Sequence, residues 1–333
     1  MRALVTGSAG FIGFHVARRL LADGWTVVGL DSFSAYYDPA LKEARNALLE
    51  REPGFTLVRA QLEDKAALDA AWDGLAPDLV VHLAAQAGVR YSIDHPETYL
   101  SANLAGTFNV LEAARRTPPK HLMIASTSSA FGANTAMPWR ETDRSAHPMT
   151  FYAATKAATE LMGHSYAHLF GTPMTFFRFF TVYGPWSRPD MAPIKFAKAI
   201  FAGEPIELYN AGDMVRDFTF IDDLVEAVVR LSAHPPVAGE PVGPDDSLSP
   251  VAPHRVVNIG AGAPQTVLEF VDALERAIGR PAKRQNLPIQ PGDPQRTEAS
   301  TDLLFALTGF RPTTPIADGV PAFIDWYRAH YGV

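Results

Sequence analysis

The chain has 333 residues, 47% of them hydrophobic, no cysteine and a formal net charge of -7 at pH 7. That length and apolar content suffice for a substantial core, split between two lobes of one body, whereas the acidic balance excludes a general nucleic-acid binder, which needs basic surface to neutralise a phosphate backbone. Without cysteine there is no disulfide and no thiolate metal site, and the ten histidines fall in no ligand spacing such as HExxH, so no metal is expected.

The first strand, "ALVTG", leads into "VTGSAGFIG", which puts Gly7, Gly10 and Gly13 in a tight turn and at the head of the first helix, "FHVARRLLADG". A lone GxxGxxG is weak evidence, because glycines gather at any tight turn. Its context strengthens it: the turn follows a strand, and a helix start offers free amides to a pyrophosphate. The second strand, "TVVGLD", ends at Asp31, eighteen residues beyond Gly13. A carboxylate there accepts ribose hydroxyls and repels a 2′-phosphate, so NAD is expected over NADP.

Further β-rich runs ("FTLVRA", "DLVVHLAA", "HLMIAST") alternate with helical stretches ("KEARNALLE", "KAALDAAWDGL", "TYLSANLAGTFNVLEAARR") through residue 127. This alternation predicts an α/β fold: a doubly wound, Rossmann-like parallel sheet wrapped by helices. The strands lack clean period-two polarity, as expected where both faces are covered. In "FYAATKAATEL", residues 151–161, Tyr152 and Lys156 stand four apart and share one helical face. The buried strand "PMTFFRFF" follows, and from 185 the pattern loosens into shorter elements. The stretch 233–255, "AHPPVAGEPVGPDDSLSPVAPHR", is rich in Pro and Gly and reads as a surface excursion rather than a lid. A strand starting almost at Met1 leaves no room for a cleavable leader, and no apolar run reaches the roughly 18 residues of a membrane span; a cytoplasmic chain without a membrane segment is expected.

TGxxGxxG at 6–13, "HLAA" at 82–85, Asn103 and YxxxK at 152–156 resemble the extended short-chain dehydrogenase/reductase family, over essentially the whole chain. "DSFSAYYDPALKEAR" (31–45), "FRFFTVYGPWSRPDMAPIKFAKAI" (177–200) and "VRDFTFIDDLVEAV" (215–228) narrow the likeness to nucleotide-sugar epimerases, most of all those acting on UDP-glucuronate. The resemblance implies an NAD-binding Rossmann domain over 1–180, to which 215–233 and 255–261 return, and a smaller C-terminal α/β lobe over 181–333 for the UDP-sugar. A homodimer built on the helices at about 97–116 and 151–170 is implied as well.

By the same resemblance, NAD is held by Gly7, Gly10, Phe11, Ile12, Gly13, Asp31 and Ser32, then by Gln61, Leu62, Leu83, Ala84, Ala85, Gln86 and Asn103, with Tyr152 and Lys156 beside the nicotinamide ribose. Thr127, Tyr152 and Lys156 form the catalytic set. A tyrosine of pKa about 10 falls by about one to three units beside each close cation, and Lys156 and oxidised NAD are both cationic. The implied reaction is C4 epimerisation of UDP-glucuronate to UDP-galacturonate through a 4-keto sugar, with NAD regenerated in each cycle. Thr127, Ser128, Ser129 and Thr181 are the candidates to hold the sugar carboxylate, which accepts and does not donate hydrogen bonds at neutral pH. Four hydroxyls at a strand end serve equally well as turn caps. Arg188 and Arg216 match diphosphate positions, Asp293 the uridine ribose position, and Met191 and Tyr209 complete the substrate set; Arg90 faces either the carboxylate or a surface partner. Asn103 and Asn109 are weaker candidates at the nucleotide end.

Departures from family patterns discriminate among reactions. Ser128 and Ser129 replace the Asp-Glu pair of 4,6-dehydratases, and Ser129 also replaces the Glu of uronate decarboxylases. Ala87 replaces a Lys of galactose epimerases. Gln61 stands in place of an adenine-reading Asp, and Phe131 in place of a common Tyr. The alternatives that remain are a neutral UDP-hexose or N-acetylhexosamine 4-epimerase, a decarboxylase, and a non-catalytic NAD-binding regulator.

Overall fold

A computed structural model describes residues 1–289 and 292–333, so Gln290 and Pro291 of the "QPGD" stretch lie outside the described residues. Seven strands, β1 (Arg2–Thr6), β2 (Thr26–Asp31), β3 (Phe55–Arg59), β4 (Leu79–His82), β5 (His121–Thr127), β6 (Met174–Phe179) and, far along the chain, β11 (His254–Ile259), form one parallel sheet. Their order is β11-β6-β5-β4-β1-β2-β3. It reverses between β1 and β4, and a crevice opens at the carboxyl ends of strands where such a reversal occurs.

Alternate residues of each strand feed different cores, which explains the missing period-two polarity. Ala3, Val5, Val81, Met123, Phe177 and Val257 join one buried cluster, whereas Leu4, Val80, Ile124, Phe176 and Val256 join the other. The first cluster includes Phe14 and Val16 of α1 (Phe11–Ala22) and Leu49 at the end of α2 (Ala40–Leu49). The second includes Leu68 and Trp72 of α3 (Lys65–Leu75). Two short helices, α4 (Tyr91–Asp94) and α5 (Pro96–Tyr99), and a π-helical turn at Leu100–Ala105 precede α6 (Gly106–Arg116), whose Val110 and Leu111 also join the second cluster. Then comes α7 (Phe151–Phe170), capped by Thr150, whose hydroxyl accepts from Ala153 N at 3.2 Å, and ended by Gly171 in the left-handed region.

The remaining elements are β7 (Thr181–Tyr183), α8 (Ala192–Ala202), β8 (Pro205–Tyr209), β9 (Val215–Arg216), β10 (Phe218–Phe220), α9 (Ile221–Ser232), β12 (Gln265–Thr266), α10 (Val267–Ile278), β13 (Lys283–Leu287), α11 (Asp302–Thr308) and α12 (Ile316–Tyr331). They form two-stranded pairs, β7 with β10, β9 with β12 and β8 with β13, while α9 packs back against α1. Among the described residues, no helix is long and apolar enough to cross a membrane.

The stretch 233–253 carries no helix or strand, yet it is anchored. The side chain of Asp246, fully buried, receives both Nε and Nη2 of Arg255 at 2.9 Å. Ser247 Oγ accepts from Val256 N at 3.0 Å, and Ser249 hydrogen-bonds His164 of α7 at 2.8 Å. The excursion therefore covers the outer side of β11, a sheet edge that would otherwise present free backbone groups.

Candidate active site

The crevice at the β1–β4 reversal is a cleft of about 930 Å³, at the upper end of the roughly 300–1,000 Å³ usual for ligand pockets. Gly7 turns the chain out of β1 at φ +73°, and a Cβ there would lie 2.8 Å from Ala84 N. At Gly13 a Cβ would lie 2.0 Å from Gly7 O. Only glycine lets the first turn of α1 pass this close to the strand ends. Gly10, Phe11, Ile12 and Gly13 then line the cleft; the Gly10 N–H donates to Gly7 O at 2.9 Å, while the first-turn amides of Phe11, Ile12 and Gly13 have no intrahelical acceptor, an anion seat.

Asp31, at the end of β2, is 5% exposed. Its carboxylate accepts from Ala9 N at 3.1 Å and Phe33 N at 2.8 Å and faces Lys42 Nζ at 3.7 Å. Ser32, Gln61, Leu62, Leu83, Ala84, Ala85 and Gln86 continue the wall. A glycine cradle, free helix-start amides and a buried carboxylate on the next strand fit a dinucleotide whose ribose carries free hydroxyls. Asn103 does not line the cleft. It is 1% exposed, accepting from Gln86 N at 2.8 Å and donating to Gln86 O at 3.2 Å and to Thr155 Oγ1 at 3.1 Å, so it holds the wall from behind. Asn109 likewise donates to Leu62 O at 2.9 Å.

Tyr152 and Lys156, one turn apart near the start of α7, both reach the cleft, as does Thr127 at the end of β5. Burial dominates their electrostatics. Burial raises the Tyr152 pKa, against the opposing effects of the Thr127 hydroxyl and the Arg188 guanidinium. Burial lowers Lys156 to about 8, opposed by the Glu160 carboxylate. Desolvation thus disfavours both charged forms and is the leading influence on each. The cation that bears on the phenol from the protein is Arg188. Behind Lys156, His82 hydrogen-bonds Thr6 at 2.7 Å and Thr107 at 3.1 Å, and its pKa falls to about 3 through burial and the Lys156 charge, leaving it neutral.

Thr127 Oγ1 accepts from Ser129 N at 3.2 Å, which is the turn-capping role weighed above. The hydroxyls of Ser128, Ser129 and Thr181 line the cleft and make no hydrogen bond among the described residues. Thr181 is fixed through its backbone, its N–H donating to Asp217 O at 3.0 Å. Asp217 is itself buried and accepts from Ala261 N, Gly262 N and Ala299 N at 2.6–3.0 Å.

Arg188 and Met191 line the same cleft, as do Arg216 and Asp293. Arg216 Nη2 donates to Asp293 Oδ1 at 3.0 Å. Arg90 and Tyr209 stand outside the lining: the Arg90 guanidinium lies 4.3 Å over the Tyr209 ring and 3.9 Å from Asp293 Oδ2, a surface arrangement beside the cleft. Arg188 donates to Asp190 at 3.1–3.2 Å, and Asp190 also accepts from Tyr36 OH at 3.2 Å. Asp190, Tyr36 and Lys42 were missed as site residues. All three sit inside the long stretches that carry the family likeness, but no local spacing marks them, since their partners are up to 154 residues away.

Comparison with known proteins agrees with this geometry. The family model described as "NAD dependent epimerase/dehydratase family" matches residues 3–260. The chain is 56% identical to a probable UDP-glucuronate 4-epimerase of Rhizobium meliloti (strain 1021), covering 99% of this chain and 98% of that protein. It is 42% identical to UDP-glucuronate 4-epimerase 1 of Arabidopsis thaliana, over 99% of this chain and 77% of the relative. The crystal structure of UDP-glucuronic acid 4-epimerase from Bacillus cereus, in complex with UDP-glucuronic acid and NAD, superposes with a TM-score of 0.88 at 31% identity, covering 99% of this chain and 100% of that one. This chain belongs to the NAD-dependent epimerase/dehydratase family.

Proposed function

We propose that the protein interconverts UDP-glucuronate and UDP-galacturonate at C4. NAD, held by the glycine turn, the start of α1 and Asp31, supplies when bound the hydride acceptor and donor at that carbon, and a positive ring while oxidised. Tyr152 takes the proton from the C4 hydroxyl and returns it after the 4-keto sugar has turned over. Thr127 hydrogen-bonds the same oxygen, and Lys156 fixes the nicotinamide ribose. Arg188 has two uses: it meets the diphosphate, and its charge favours the phenolate at Tyr152. Arg216 meets the other phosphate, and Asp293 accepts the uridine ribose hydroxyls. A positioned base contributes about 10² to 10⁴ in rate, with orientation of the sugar supplying much of the rest.

The observation that carries the uronate reading is the set of hydroxyls at Ser128, Ser129 and Thr181, in one cleft with Tyr152 and without a hydrogen bond among the described residues. A carboxylate needs donors, and these hydroxyls are uncommitted. Holding it serves the chemistry as well, since a 4-keto uronate is a β-keto acid and loses carbon dioxide once its carboxylate rotates into line for C5–C6 cleavage. We place the NAD-binding lobe at 1–180 with returns at 215–233 and 255–261. A homodimer is supported by apolar side chains left exposed on α6 and α7, among them Phe108, Leu161, Leu169 and Phe170. The absence of cysteine suits the reducing cytoplasm as the site of action.

Incubating the purified protein with UDP-glucuronate and with UDP-glucose, without added NAD, tests the function. The C4 epimer of the acid alone supports it. Turnover of UDP-glucose instead points to a neutral-sugar epimerase, pentose product to a decarboxylase, and no turnover to a regulator.

A further inference from the structure

Arg45 of α2 has 0% exposure and no carboxylate within ion-pair distance among the described residues. Its fork ends on neutral acceptors: Nη1 donates to Ala9 O and Tyr37 OH, both at 3.0 Å, and Nη2 to Trp186 O at 2.6 Å and Ser187 O at 3.4 Å, while Nε has no partner. A buried cation with no carboxylate in contact opposes folding, and the Asp31 charge offsets this only from beyond ion-pair distance, so its place calls for an explanation beyond packing. Ala9 belongs to the glycine turn of the dinucleotide site. Trp186 and Ser187 are the two residues that precede Arg188.

The loop at the far end of this fork is held against its own preference. Trp186 adopts φ +64°, left-handed backbone that bulky residues avoid. His15 Nε2 of α1 donates to Pro185 O at 3.0 Å, and the Trp186 ring packs 5.5 Å from Phe14 of α1. The Trp186 ring also packs on Trp326 and His330 of α12, 5.3 and 5.0 Å between ring centroids, but among the described residues only Arg45 hydrogen-bonds both the loop and the glycine turn.

We propose that Arg45 is a positioning residue that ties the dinucleotide turn to the loop presenting Arg188, so that one guanidinium braces the seats of both ligands. The planar fork suits this task because it donates in two fixed directions at once, which a lysine ammonium on a flexible stem does not. The proposal rests on the reading that Arg188 meets the diphosphate.

The test uses NAD-loaded protein with UDP as the probe, titrated by calorimetry, and the rate of NAD release as an independent readout. Arg188→Met weakens UDP binding by about 10- to 150-fold, the range for hydrogen bonds to charged groups. Arg45→Met and Arg45→Lys each weaken it by about 10-fold or more, and adding either to Arg188→Met weakens it no further, because the positioned loop has lost its donor. The Arg45 variants also release NAD about 10-fold faster, whereas Arg188→Met does not. Arg45→Lys keeps the buried charge and decides the matter if Arg45→Met does not fold. Losses that multiply in the double variant, or NAD release unchanged in Arg45→Lys, overturn the tie. UDP affinity unchanged by Arg188→Met overturns instead the diphosphate role, and NAD release from Arg45→Lys then decides whether Arg45 braces the turn.

Discussion

Glu160 of α7 offers a test of how burial tunes the site from behind. Its carboxylate receives Arg178 Nε at 2.9 Å and Nη2 at 2.7 Å, with side chains only 7% and 3% exposed. Ser126 Oγ donates to the same carboxylate, and the guanidinium lies 4.4 Å over the Phe131 ring. Glu160→Gln leaves Arg178 buried without its counter-charge, which costs about 3–5 kcal/mol. A chain of 333 residues has an unfolding entropy of about 0.7 kcal/mol/K, so Tm falls by about 4–7 °C. Glu160 also stands one turn beyond Lys156, and its charge is what opposes the lowering of that ammonium to about 8. Removing the charge lowers Lys156 further. If protonated Lys156 is required, the alkaline limb of kcat/KM moves to lower pH, and activity is lost more at pH about 8.5 than at pH about 6.5. A Glu160→Leu/Arg178→Met double variant separates the two effects: replacing both charges recovers much of the Tm and leaves the limb displaced. Thermal melts and pH–rate profiles on the three proteins decide. A Tm within about 1 °C of wild type for Glu160→Gln, or an alkaline limb that stays in place, refutes the reasoning.

Tyr152→Phe abolishes epimerisation of UDP-glucuronate and leaves NAD bound, read from product analysis and from the NAD content of the protein; retained turnover removes Tyr152 from the base role. Thr181→Val and Ser128→Ala raise the ratio of pentose to hexuronate products, because each removes a donor that restrains the carboxylate; an unchanged ratio rejects that restraint. Leu161, 74% exposed on α7, is expected at the dimer surface. Leu161→Glu shifts sedimentation toward the monomer without lowering Tm by more than about 1 °C, and an unchanged oligomeric state places the interface elsewhere.

How far the site was legible follows from the range of the forces that build it. The glycine turn and Asp31 were readable because the constraint is local: a Cβ at Gly13 meets backbone six residues away, and the strand–turn–helix context fixes where the acid falls. The doubly wound sheet was readable from alternation, and the missing polarity of its strands has its cause in two cores that share each strand between them. The pairing of Arg188 with Asp190 and Tyr36 was not readable, since Tyr36 arrives from the β2–α2 connection. Nor was the anchoring of 233–253, whose composition signals irregularity but not the burial of Asp246 against Arg255.

Of the two cations expected to act on Tyr152, Lys156 is not among the protein charges that bear on the phenol, whereas Arg188 is. Spacing on a helix shows that two groups are neighbours, but the sign of a pKa shift depends on how much water the fold removes around both, and that is a property of the whole cleft. Burial raises the Tyr152 phenol and lowers Lys156 to about 8, so in this cleft it outweighs the nearby charges on both groups. Arg188 already opposes the effect of burial on the phenol, and under the proposed function the positive ring of oxidised NAD is the further cation that would favour its ionisation.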